Sequence, residues 1–265
     1  MKVYISADIE GVTGTTHWDE TDKKHGDFAA ARDQMTAEVA AACQGALAAG
    51  AKEIWIKDAH HTGRNIDPAK LPEDVRLIRG WSGHPFSMIQ ELDESFQAMI
   101  MIGYHSRAGS GTSPLAHTLT GALNSITLNG APASEFLLHA YGAALAGVPV
   151  VLVSGDEGLC QEIEGLNSSI ATVSVMCGIG DSTVSIHPAR AVRLIREGTQ
   201  AALEADRSRC RLTLPGSFTI EINFKNHARA YRASFYPGME LADARTAIFT
   251  TGDFYEVLRM LAFAI

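Results

Sequence analysis

Two rhythms of apolar and polar positions run along this chain. Short apolar-rich runs occupy residues 3–7, 53–57, 75–78, 98–102, 125–128 and 148–153. Each is too short for a helix and bounded by polar or turn residues, so each predicts a strand. The stretches between them carry a longer rhythm. Residues 28–49 are rich in Ala and free of Pro, with no Gly before Gly45, which predicts a helix stopped by Gly50. Residues 134–146 predict a second helix, ended by Gly147. Further on the pattern loosens. Residues 172–176 predict a strand, 188–205 a helix with Pro188 in its first turn, and 217–224 a half-exposed strand of alternating polarity. A strand over 246–249 and a helix over 253–263 complete the prediction.

Apolar strands separated by helices predict a three-layer αβα fold with a mainly parallel sheet, because helices must cover both faces. The loosened pattern predicts a smaller C-terminal α/β lobe. The expected division is an α/β core over 1–160 and a lobe over 161–265 packed on it. No Pro/Ser-rich linker, internal repeat or low-complexity segment interrupts the chain.

Composition narrows the function classes. The 265 residues are 46% hydrophobic and 20% charged, an ordinary globular balance. The net charge is -8 with no basic run, which argues against a nucleic-acid surface or an anionic membrane surface. No segment reaches the roughly 20 apolar residues of a membrane span. The opening residues are too short in apolar character for a signal peptide. Four cysteines, none in a Cys-x-x-Cys pair, suit a reducing compartment, so a cytoplasmic protein is expected. No Gly-x-Gly-x-x-Gly, Walker loop or Gly-x-Ser-x-Gly elbow occurs, so neither a nucleotide cofactor nor a Ser-His-Asp hydrolase is indicated.

Ligands of open parallel sheets bind beyond the carboxyl ends of the strands. The first predicted strand ends in Asp8 and Glu10, two residues apart and so able to aim at one point. The second runs into Asp58, His60 and His61, and the fourth into His105. The fifth turns at Asn129-Gly130, and Glu135 opens the next helix. Carboxylate and imidazole donors together suit zinc or another first-row dication. Three carboxylates exceed the usual needs of one catalytic zinc; two ions roughly 3.5–4 Å apart, bridged by one carboxylate, fit better. Charge agrees: Asp8, Glu10, Glu135 and one bridging hydroxide would balance two dications, with neutral His60 and His105 completing the set. Each of the five also has an ordinary structural role open to it. His117 lies in a loop rich in Gly, Ser and Thr, as a mobile catalytic histidine or a solvent-facing one. Asp58 could orient a ligand imidazole, and Asp156 or Glu157 could bind a substrate amine at the rim. His17, His25 and His84 are expected on the surface.

These residues also carry a family likeness. Ser6-Ala-Asp8-Ile-Glu10-Gly11-Val-Thr-Gly14, Asp58-Ala-His60, Pro85-Phe86-Ser87-Met88, Gly103-Tyr104-His105-Ser-Arg107-Ala108 and Asn129-Gly130 followed by Glu135 occur in this order. The sequence thereby resembles the bacterial zinc D-aminopeptidase family over its whole length. The resemblance implies two zinc ions per subunit, with Asp8 shared and Glu10, His60, His105 and Glu135 as the other ligands. It implies His117 as the catalytic histidine, and a homo-oligomer, a decamer of two pentamers, enclosing its sites. The expected function is removal of the N-terminal residue from short peptides, including D-residue peptides. A dinuclear amidase or deacylase and a non-catalytic, metal-stabilised binding protein are the alternatives.

Overall fold

In this computed structural model, which describes residues 1–265, the apolar runs become strands of two sheets. The first half of the chain supplies β1 (Lys2–Ala7), β2 (Glu53–Asp58), β3 (Val75–Ile78), β4 (Ala98–Tyr104), β5 (Leu123–Leu128), β6 (Ala131–Pro132) and β7 (Val150–Asp156). The second half supplies β8 (Ala171–Ile179), β9 (Ser182–Ser185), β10 (Phe218–Phe224), β11 (Met239–Leu241) and β12 (Thr246–Thr251). The helices are α1 (Phe28–Ala48), α2 (Glu135–Leu145), α3 (Glu157–Leu166), α4 (Pro188–Glu204), α5 (His227–Ala233) and α6 (Phe254–Ala264).

The larger sheet runs β3-β2-β1-β4-β7-β8-β9 and is parallel except for the β8–β9 hairpin. Helices cover both faces, α1 and α4 packing together. That coverage explains the unbroken apolar runs: β4 and β7 are buried at every position. Local chemistry sets the helix ends. Ser134 caps α2 by accepting from the Leu137 amide, Asp156 caps α3 by accepting from the Leu159 amide, and Pro188 opens α4.

The smaller sheet is antiparallel, in the order β11-β12-β10-β5-β6. Asn129 and Gly130, with φ of 52° and 79°, form the two-residue turn between β5 and β6, as the Asn-Gly dipeptide predicts. β5 itself differs from expectation. It pairs with β10 and not within the parallel sheet, and its burial alternates accordingly. The larger sheet runs past residue 160 through β8 and β9, while β5 and β6 from the first half build the smaller one. The sheets therefore change over by strand exchange and not at a single point in the chain. β9, β11 and α5 occupy stretches with no predicted element; all are short, at 4, 3 and 7 residues, and carry little periodic signal.

Strand order locates the crevice. From β1 the sheet extends through β2 to β3 on one side, and through β4 to β7 on the other. The carboxyl ends of β1 and β4 therefore flank a switch in winding direction, where such sheets open a cleft. Two glycines let these ends touch. A Cβ on Gly11 would fall 1.8 Å from the Tyr104 carbonyl oxygen, and one on Gly103 (φ 70°) would fall 2.3 Å from that of Asp8.

Candidate metal centre

Asp8 and Glu10 follow β1, His60 follows β2, His105 follows β4, and Glu135 is the first residue of α2. All five are buried, His60 the most open at 7%. The fold brings them together. His60 Nδ1 lies 3.2 Å from Asp8 Oδ1 and 3.1 Å from Glu10 Oε2. His105 Nε2 lies 3.6 Å from Asp8 Oδ2 and 3.3 Å from Glu135 Oε2. Asp8 thus turns a different oxygen toward each histidine.

Backbone carbonyls fix the far side of each ring. His60 Nε2 donates to the Thr21 carbonyl at 2.8 Å, and His105 Nδ1 to that of Ser106 at 3.0 Å. A carbonyl only accepts, so these nitrogens carry the protons. The opposite nitrogens face the carboxylates: protonated, they donate, as His60 Nδ1 does to Asp8 Oδ1, and once that proton leaves the lone pair can hold a metal. Three atoms in this cluster are buried without a hydrogen-bond partner: Glu10 Oε2, His105 Nε2 and Glu135 Oε2. Buried polar atoms are normally satisfied, so three orphans in one cluster of carboxylates and imidazoles mark a candidate cation site. The mixed nitrogen and oxygen donors fit zinc. Separately, His105, His117 and Glu135, and likewise Asp8, Glu10 and His105, offer ligand atoms within 4.8 Å of one another.

The electrostatics agree. Burial pushes the Asp8 carboxyl well above the usual carboxylate range, and Glu10 beside it adds to the rise. Glu10 and Glu135 go the other way. Burial opposes this, but His60 outweighs it at Glu10, and His105 brings Glu135 down to about 2. The histidines mirror them. Burial again opposes, yet Glu10 and Asp8 raise His60 well above its usual value, and Glu135 leads the rise of His105 to about 10. Without an ion, protons on the imidazoles supply the positive charge that the carboxylates demand.

His117 lies against the same cluster. Its ring stacks on His105, centroids 4.3 Å apart and planes 9° apart, and Trp18 meets it edge-on at 5.3 Å. His117 Nδ1 donates to the Leu115 carbonyl at 2.9 Å, and Nε2 lies 3.6 Å from Glu135 Oε1. The Leu119 amide donates to that same oxygen at 2.6 Å, tying the histidine loop to Glu135.

Other expectations need correcting. Asp58 does not reach the His60 ring. Its oxygens accept from the Asn65 and Ile66 amides and the Asn65 side chain, which in turn donates to the His60 carbonyl. Asp156 is wholly buried and occupied by the Ser106 amide and hydroxyl and the Leu159 amide, so no substrate amine reaches it. A cavity of about 650 Å³ opens over the cluster, lined by Asp8, Glu10, His60, His117 and Glu135. His25, exposed as expected, also lines it, as do Trp18, Asp19, Asp22 and His61. Nothing in the sequence marks the Thr21 carbonyl as the His60 anchor, because every residue carries a carbonyl.

Comparison with known proteins gives consistent results. The family model for D-aminopeptidase matches residues 1–263. A D-aminopeptidase from Bacillus subtilis (strain 168) is 32% identical over 249 residues, spanning 94% of this chain and 90% of that protein. Among solved structures, the Zn-dependent D-aminopeptidase DppA from Bacillus subtilis, described as a self-compartmentalizing protease, superposes with a TM-score of 0.93 at 29% identity. The superposition covers 100% of this chain and 96% of that one. No helix is long and apolar enough to cross a membrane.

Proposed function

The chain belongs to the D-aminopeptidase family, and on that premise we propose that it is a zinc-dependent aminopeptidase removing the N-terminal residue of short peptides, D-residue peptides among them. The observation that carries the reading is the trio of orphaned buried atoms, Glu10 Oε2, Glu135 Oε2 and His105 Nε2, the last 3.3 Å from Glu135 Oε2, with both carboxylates lining the cavity. Asp8 would be shared between two zinc ions, with Glu10 and His60 holding one and His105 and Glu135 the other. Bound zinc supplies Lewis acidity toward a carbonyl oxygen and brings the pKa of a water to about 7.

The chain's own side chains account for the rest. His117 Nδ1 is committed to Leu115, so Nε2 is the atom that takes or gives a proton. It stands at the cavity, steadied by the His105 and Trp18 rings, where it would protonate the leaving amine or donate to the developing oxyanion. Asp19 and Asp22, also at the cavity, are placed to pair with a free α-ammonium, which would confine cleavage to the first residue. A homo-oligomer, a decamer enclosing the sites, completes the proposal; it draws on the self-compartmentalizing character of the Bacillus subtilis structure.

One experiment tests the reading. Paired D- and L-dipeptides, with N-acyl amides alongside, are offered to protein whose metal content is measured in the same sample. Dipeptide cleavage that a chelator abolishes and zinc restores is expected. Cleavage of the N-acyl amides alone would make the protein an amidase, and no cleavage with zinc bound would make it a binding protein.

A further inference from the structure

The cavity over the metal-centre residues has two unlike sides. Asp19, Asp22, His25 and His61 make one of them polar. The other is built by the end of the chain. Leu258, Leu261, Ala262 and Ile265 line the cavity at the spacing of a single helix face. α2 packs against α6 and against the turn Ser87–Ile89, so Leu138 and Met88 extend the same apolar surface. Leu258 and Leu261 are almost fully buried, whereas Ala262 is exposed and Ile265 half-buried. The inner part of this wall is therefore fixed in the core, and its outer part is open to an occupant.

Charge is as informative as shape. Neither Lys nor Arg lines the cavity. Lys57, with Nζ 3.8 Å from the centre of the Trp81 ring, donates to the Asp58 and Gly80 carbonyls and does not line the cavity. Lys23 and Lys24, beside Asp22, are exposed and also lie outside it. An acidic side chain laid on the apolar α6 wall would lose water there and find no Lys or Arg to pair with.

We propose that the α6 wall is the side-chain subsite of this enzyme, so that its preferred substrates carry an aliphatic N-terminal side chain larger than a methyl group, and acidic ones are rejected. This rests on the aminopeptidase reading. Leu258, Leu261, Ala262 and Ile265 offer an isobutyl group an apolar surface that a lone methyl group would cover only in part. One methylene in an apolar pocket is worth about tenfold in kcat/KM or more.

The test uses the zinc-loaded protein and the α-amides of Ala, Leu and Glu, each in D and L form, compared in whichever form is cleaved. The Leu amide is expected to exceed the Ala amide by about tenfold or more in kcat/KM, with the Glu amide below both. Ala262→Phe should bring the Leu-to-Ala ratio down by about tenfold, and Ile265→Ala should lower it less. Ile265→Ala only removes atoms, so the ratio stays measurable even where the Phe ring closes the cavity to both amides. An Ala amide cleaved as well as the Leu amide, or a ratio that neither variant moves, overturns the subsite and leaves the aminopeptidase standing. No cleavage of any amide with zinc bound overturns the aminopeptidase reading and the subsite together.

Discussion

Asp8, Glu10, Glu135, Asp58 and Asp156 are all buried in and around the candidate metal centre, and they divide by what their oxygens meet. Asp58 and Asp156 are wholly enclosed, yet each is surrounded by donors that tie a loop or cap a helix. Asp8, Glu10 and Glu135 are enclosed almost as completely, but Glu10 Oε2 and Glu135 Oε2 meet no donor, and Asp8 faces imidazoles and other carboxylates. Burial alone does not separate the two groups. What separates them is whether backbone, side-chain amide and hydroxyl donors satisfy every oxygen; Glu38 Oε2 is a buried orphan as well, but at the cluster the orphaned oxygens of two carboxylates lie beside imidazoles.

The sharpest probe of this division is His117, which touches the open group without being needed to balance it. His117→Ala should lower kcat by about 10²- to 10⁴-fold while the zinc content stays that of the unaltered protein, as read by steady-state kinetics with elemental analysis. Normal turnover by that variant would remove His117 from the chemistry. On the satisfied side, Asp58→Ala strands the Asn65 and Ile66 amides and should destabilise the fold by about 3 kcal/mol in urea unfolding of the metal-free protein. On the open side Glu10→Gln should act mainly on the metal. Zinc affinity should fall about tenfold or more by chelator competition, while metal-free stability falls less than for Asp58→Ala: His60 loses the carboxylate it pairs with, but Asp8 loses a like charge beside it. Equal losses of metal-free stability in the two variants would erase the distinction.

The smallest effect expected is in pH dependence, and its sign is fixed. In the metal-free protein His60 and His105 titrate above their ordinary value, His105 at about 10, so both carry protons at neutral pH. Zinc must displace those protons, so its affinity should climb as pH rises from 6 toward about 9, with protons released on binding. Calorimetry in buffers of different ionisation enthalpy reads the release. Metal-free stability should respond oppositely. The His105 contribution is complete below about pH 6.5 and fades as pH rises through about 10, whereas that of Glu135 is present above about pH 4.3 and is lost as pH falls through about 2. Zinc affinity independent of pH would mean that the imidazoles are not ligands.

Much of this was readable in the chain. The core strands β1, β4 and β7 announce themselves because a strand covered on both faces must be apolar throughout. Asp8, Glu10, His60 and His105 stand out because acidic and imidazole groups close such runs, and strand ends are where parallel sheets bind ligands. β5 was misplaced because a run of six residues with mixed polarity states that it is a strand and not which sheet it joins. The roles of Asp58 and Asp156 were misread for a related reason. An aspartate at a strand end looks the same whether it faces a metal ion or a backbone amide.

The sequence by itself determined the local choices: which stretches extend, which coil, where Gly and Pro stop them, and which side chains able to bind a metal lie at the stops. These follow from short-range sterics and periodic burial, which a linear pattern records. Only the tertiary structure decided which carboxylates remain unpaired, which carbonyls hold the imidazoles, and that the last helix closes the cavity. Those facts depend on contacts such as Thr21 with His60 and Ser106 with Asp156, between atoms 39 and 50 residues apart. A hydrogen bond's partner is fixed by the packed geometry of two segments, and neither segment encodes it alone.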